Sequence, residues 1–328
     1  MYQLLIGAVG AFVISAVLGI LLIPVLKRLK FGQEIREEGP SWHAGKSGTP
    51  TMGGFIFILS VILMTAICYT VGVLSGIDIP AGAEIIMLII LSVSFGIIGF
   101  IDDFIKVILK RNLGLTSGQK FLLQAIVSVA FTCLAVYGKG IPTTIYIPFT
   151  EFEMNLGWFF IPFTTLVILA TVNSVNLTDG LDGLATSITM VVALFFIAFA
   201  ETGLFPNTAV ALFASMLLGS LAGFLLYNKY PAKVFMGDTG SLFLGGAVCG
   251  MAILMHQPLA LLIVGFTYVA ESLSVILQVI SFKTTGKRIF KMSPIHHHFE
   301  MCGWSEKKVV SVFTLATVIL CALMYFFG

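Results

Sequence analysis

Apolar residues run through this 328-residue chain in long unbroken windows, not in the short stripes of a soluble domain. Windows free of Asp, Glu, Lys and Arg cover 1–26, 47–77, 85–101, 121–138, 154–178, 183–200, 202–228 and 309–328. Each holds about one ~20-residue helix across a bilayer. Residues 239–282 are interrupted only by Glu271 and accommodate two helices turning at His256, Gln257 and Pro258. The pattern predicts an all-α integral membrane protein with ten transmembrane helices. Ten such spans use about 200 positions, so 1–328 reads as a single polytopic membrane domain. In the 139–157 connection Ile145, Ile147 and Phe149 recur every second residue, which predicts a short β-hairpin on the outer surface.

Composition agrees: 58% of residues are hydrophobic and 10% charged, against roughly 25% charged in a soluble domain. Disorder and a soluble enzyme are excluded, and a net charge of +2 gives no reason to expect nucleic acid. The five cysteines lack metal-ligand spacing and read as packing residues. Basic residues set the orientation, because positive loops stay in the cytoplasm. With both termini outside, 17 of the 18 Lys and Arg residues fall on the cytoplasmic side, and only Lys139 lies outside. The first window has no basic region before it and a positive cluster after it, so it reads as an uncleaved span. The segments 27–50, 104–120, 176–183, 228–239 and 283–308 then form one cytoplasmic face.

Polar residues gather in those segments. Asp102 and Asp103 end the third window, and Lys106 lies four and three residues on, within reach of either carboxylate on a helix. Such a pair suits a divalent metal with phosphate; a solvated helix end with a salt bridge is the plainer alternative. Asn173, Asn176, Asp179 and Asp182 recur every three residues, and Gly180 and Gly183 permit close approach of a ligand. Asp238 stands between glycines at the start of a span, with no basic residue nearer in sequence than Lys233. It can hold a metal or serve as an N-cap. His296, His297 and His298 cannot converge on one metal from a regular backbone, and suit hydrogen bonding or charge donation to phosphates. Lys46 and Thr51 belong to a glycine-bracketed basic and hydroxyl set, and Glu271 is an acid placed where ionisation is costly. Together these groups predict a metal-dependent site for a phosphorylated substrate, reached from the cytosol.

The runs Asp102 to Lys106, Asn176 to Gly183, Gly237 to Ser241 and Pro294 to Glu300 together resemble the polyprenyl-phosphate N-acetylhexosamine-1-phosphate transferases. The Pro294 to Glu300 run is similar to that of the branch handling MurNAc-pentapeptide. The resemblance implies a bacterial inner-membrane enzyme that joins UDP-MurNAc-pentapeptide to undecaprenyl phosphate, giving lipid I and UMP with Mg²⁺ as cofactor. It implies Asp238 as the Mg²⁺ ligand, Asp102 as acceptor of the lipid phosphate proton, and Asp103 and Lys106 in support. Lys46, Asn228, Phe235, Asp179 and Asp182 would form the nucleotide pocket, and the three histidines would contact the diphosphate. A sister transferase for another UDP-sugar and a secondary transporter are the alternatives. Acids at span ends and the absence of a repeat argue against the transporter. The sequence leaves open whether two copies pair as a homodimer.

Overall fold

The structure is a computed structural model, and it describes residues 2–29, 48–74, 82–108, 114–150, 152–203 and 205–328. In chain order the helices are α1 (Tyr2–Arg28), α2 (Gly54–Leu74), α3 (Gly82–Ile108), α4 (Ser117–Cys133), α5 (Phe160–Thr178), α6 (Leu184–Thr202) and α7 (Thr208–Asn228). They are followed by α8 (Gly237–Leu254), α9 (Leu261–Val264), α10 (Phe266–Thr285), α11 (Ile295–Met301) and α12 (Glu306–Phe327). Among the described residues nine helices are long and apolar enough to cross a membrane; a tenth is obtained if the bent Pro258–Val264 and Phe266–Thr285 pair is one span. That pair kinks by 83° at Gly265. The two helices expected in 239–282 are thus α8 and a broken partner, turning at His256 to Pro258 as the polar break predicts.

The hairpin is present. Strands β1 (Thr144–Tyr146) and β2 (Glu153–Asn155) pair antiparallel, with Ile145 opposite Met154. Ile145 is buried, while Phe149 lies in the turn at φ +64° and is exposed. The Tyr146 amide donates to the His256 carbonyl at 3.1 Å, which fastens the hairpin to the turn after α8.

In lipid, helices gain little from hiding apolar surface from one another, so close packing relies on small residues. α8 is the central helix, buried almost throughout and packed along α3, with α5 and α2 also against it. Gly99 of α3 sits so close to the Asp238 carbonyl that any side chain there would collide with it. α3 also runs past its charge-free window, because a helix continues through charged residues at a water-facing end. Asp102, Asp103 and Lys106 therefore lie within the helix, beside the start of α8.

Candidate active site

α8 opens on Gly237 at φ +70°, where a Cβ would also meet Asp103 Oδ2 and Thr51 Oγ1. The first amides of a helix have no acceptor within it. Asp103 supplies one from α3: Oδ1 accepts from Asp238 N at 3.1 Å, and Oδ2 accepts from Thr239 N at 2.9 Å and Thr239 Oγ1 at 2.7 Å. Asp103 is buried and committed to this joint.

The joint places Asp238 among groups from three other helices. Its Oδ2 accepts from Lys106 Nζ at 2.9 Å and Lys120 Nζ at 3.0 Å, and its Oδ1 from Asn176 Nδ2 at 2.8 Å. Lys106 Nζ also lies 2.5 Å from Asp102 Oδ2, and Lys120 Nζ lies 3.9 Å from it. Asp102 Oδ1 accepts from the Leu115 amide at 2.8 Å. Two carboxylates and two ammonium groups thus share one place, and the acid without a basic neighbour in sequence holds two lysines from elsewhere. Asn176 also donates to Ser241 Oγ at 2.8 Å, while Asn173, one turn earlier, donates to Gln124 Oε1 at 2.8 Å and ties α5 to α4.

Lys120, Gln124 and Ser241 are the residues that sequence reasoning missed; Lys120 counted there only toward orientation. A usable signal existed. Thr116 Oγ1 accepts from Gln119 N, and Gln119 Oε1 accepts from Thr116 N, a capping box that marks a helix start and places Lys120 in its first turn.

The remaining expected residues flank this centre. Asp179 follows the last residue of α5, and its amide donates to Asn176 O. Asp182 Oδ2 accepts from Ala232 N at 2.8 Å, and the Asp182 amide donates to Glu306 Oε1 at 2.6 Å. Asn228 is buried with its amide engaged at both ends, accepting from Thr186 Oγ1 and donating to Val234 O. Asp182 and Asn228 therefore brace the turns around α6, α7 and α8. Phe235 is held through its backbone to Pro50 and Gly53, with its ring half-buried, and Thr51 is buried beside Gly237. Lys46 lies outside the described residues.

The histidines point apart. His296, fully buried, places Nδ1 3.0 Å from Glu271 Oε2 on α10. His297 places Nδ1 2.8 Å from Glu300 Oε2. His298 Nδ1 accepts from the Lys291 amide at 3.2 Å. His296 also abuts Gly180, so α11 reaches the turn between α5 and α6.

Among the described residues no three His, Cys, Asp or Glu side chains converge as a metal cage. Asp102 and Asp238 still fit Mg²⁺, which takes one or two carboxylates and completes its shell with water and phosphate oxygens. The carboxylate oxygens are the hard donors such a cation takes, and Lys106 and Lys120, which neutralise them here, would turn to the phosphate oxygens when it is bound.

A model of the family Glycosyl transferase family 4 matches residues 85–256, which include the Asp102–Asp103, Asp179–Asp182 and Asp238 segments. Phospho-N-acetylmuramoyl-pentapeptide-transferase of Clostridium botulinum (strain Alaska E43 / Type E3) is 52% identical over 313 residues, covering 94% of this chain and 92% of the relative. The protein of that name in Acetivibrio thermocellus is 51% identical over 319 residues, covering 96% and 92%. That in Clostridium perfringens (strain 13 / Type A) is 48% identical over 323 residues, covering 98% of both. Identity near one half along almost all of both chains exceeds anything that a shared membrane composition produces, and the chain therefore belongs to Glycosyl transferase family 4, among the phospho-N-acetylmuramoyl-pentapeptide transferases.

Proposed function

We propose that this chain transfers phospho-MurNAc-pentapeptide from UDP-MurNAc-pentapeptide to undecaprenyl phosphate, giving lipid I and UMP. The observation that carries the reading is the sharing of Lys106 and Lys120 between Asp102 and Asp238 at one end of the helix bundle. An oxygen of undecaprenyl phosphate forms a bond to the β-phosphorus, the bond from that phosphorus to the bridging oxygen breaks, and UMP leaves. Charge then accumulates on the phosphoryl oxygens, and preplaced cations stabilise it.

Lys106 and Lys120 meet that charge, Asp102 takes the proton of the lipid phosphate, and Asn176 orients Asp238. Asp238 is the carboxylate that would hold Mg²⁺, which when bound neutralises diphosphate charge. Asp103 supports the centre by fastening the start of α8. Lys46, Asn228, Phe235, Asp179 and Asp182 form the nucleotide side, with the Phe235 ring stacking on uracil, Thr51, Asn173 and Gly180 complete the substrate-binding set, and the diverging His296, His297 and His298 serve the diphosphate in unequal ways, His296 lying nearest the Asp179–Asp182 turn. The membrane reading follows from the basic residues: ten spans, counting the bent α9–α10 element as one, both termini outside, and the site open to the cytoplasm of a bacterial inner membrane.

The experiment is direct. Purified protein, UDP-MurNAc-pentapeptide, undecaprenyl phosphate and Mg²⁺ should release UMP and form lipid I, while UDP-GlcNAc as sole donor should give none. Turnover of UDP-GlcNAc with none of the pentapeptide substrate would reassign the enzyme to a sister transferase.

A further inference from the structure

Glu271 lies inside α10 with no solvent exposure, where an ionised carboxylate is costly unless it is paired. Its Oε2 is 3.0 Å from His296 Nδ1 and 3.4 Å from the His296 amide, and His296 is equally buried. The His296 amide donates to this same oxygen, so Oε2 is an acceptor, the proton of the ring sits on Nδ1 and the direction of Nε2 is fixed. Nε2 is buried and has no hydrogen-bond partner among the described residues. It lies against the Cα of Gly180, where any side chain would overlap the imidazole. His298 differs: the Lys291 amide that donates to its Nδ1 cannot accept, which puts its proton on Nε2, toward Cys302.

We propose that Glu271 is a positioning residue of this reaction: it fixes the tautomer and orientation of His296 so that Nε2 addresses the diphosphate lying over the Asp179–Asp182 turn. The proposal rests on the transferase reading above. When Nε2 carries a proton, the buried carboxylate balances the imidazolium and Nε2–H donates to a phosphate oxygen, the same division of labour by which a buried acid orients a histidine in hydrolase triads. Only glycine at position 180 lets the turn lie this close to Nε2.

The test is a double-mutant cycle on the full-length protein, reading kcat and KM for UMP release together with thermal unfolding. Glu271→Leu and His296→Ala should each lower kcat about 10²-fold, the scale for losing a charge stabiliser. Glu271→Gln keeps the size but removes the balancing charge and can turn its own NH2 to Nδ1, so it should also lower kcat by about tenfold or more while unfolding near the wild-type temperature. The double variant Glu271→Leu/His296→Ala should lose no more than His296→Ala alone, because groups that act as a unit are non-additive. A further loss of about tenfold or more in the double variant, or a Gln variant with wild-type kcat, overturns the proposal. Should the Leu variant not fold, the same cycle with Glu271→Gln decides. ¹⁵N spectra of labelled histidine should show His296 protonated on Nδ1 in wild type and redistributed in Glu271→Leu, and an unchanged spectrum counts against the coupling. Absence of UMP release by the wild type would instead remove the transferase reading and leave the spectral test standing.

Discussion

The carboxylate of Asp238 is gripped on both oxygens, by two ammonium groups on one and an amide on the other. Asp238→Asn keeps the shape and removes the charge that both lysines share. UMP release should fall by 10² or more, the scale for one positioned electrostatic group, while thermal unfolding stays near wild type. Near-normal turnover with an unchanged Mg²⁺ requirement would exclude Asp238 as the metal ligand. Its neighbour Asp103 should behave oppositely. Asp103→Ala strands three donors at the start of α8, and a buried unsatisfied donor costs about 1–3 kcal/mol. The expected result is a lowered unfolding temperature that Asp103→Asn restores in part; a variant that is inactive but as stable as wild type would give Asp103 a chemical role instead.

At the scale of elements, the contact of α3 with α8 fixes the site. Gly99→Val must push the helices apart, because the obstructing group is the Asp238 backbone and cannot rotate away. Activity should be lost together with stability, whereas Gly118→Ala, in open space near the start of α4, should be tolerated in both assays. The elements themselves were legible, since runs of ~20 apolar residues and alternation around Ile145 are local patterns. Joints between elements were not. Lys120 reaches Asp238 across 118 positions and Asp103 reaches Thr239 across 136, separations that no periodicity encodes. For the same reason the bonds of Asn228 to Thr186 and of Asp182 to Ala232 left no local trace, and Glu271 gave no sign of His296 until α10 and α11 were placed together. That the histidines diverge was readable, because adjacent helical positions point about 100° apart.

For the whole molecule the open quantity is sidedness. Cys302, exposed at the end of α11, belongs to the segment assigned to the cytoplasm, and Glu153, exposed on the hairpin, to the outside. With the other four cysteines changed to alanine, a membrane-impermeant maleimide should label Cys302 only after the membrane of spheroplasts is opened. Glu153→Cys in a Cys302→Ala background should be labelled in closed spheroplasts. The reverse pattern would invert the topology and move the site to the outer face.

The Asp103 joint has a consequence for how the protein is made. Translation at roughly 5–20 residues per second needs on the order of ten seconds to cover the 136 positions between Asp103 and Thr239. Throughout that interval α3 exists with the two carboxylate oxygens of Asp103 lacking their protein partners on α8. Water at the helix end can solvate them while they wait, which hydrocarbon cannot do. The position of Asp102 and Asp103 near the end of α3 thus bears on insertion as well as on the site, and moving the pair one turn toward the bilayer centre should lower the amount of protein inserted, measured before any turnover.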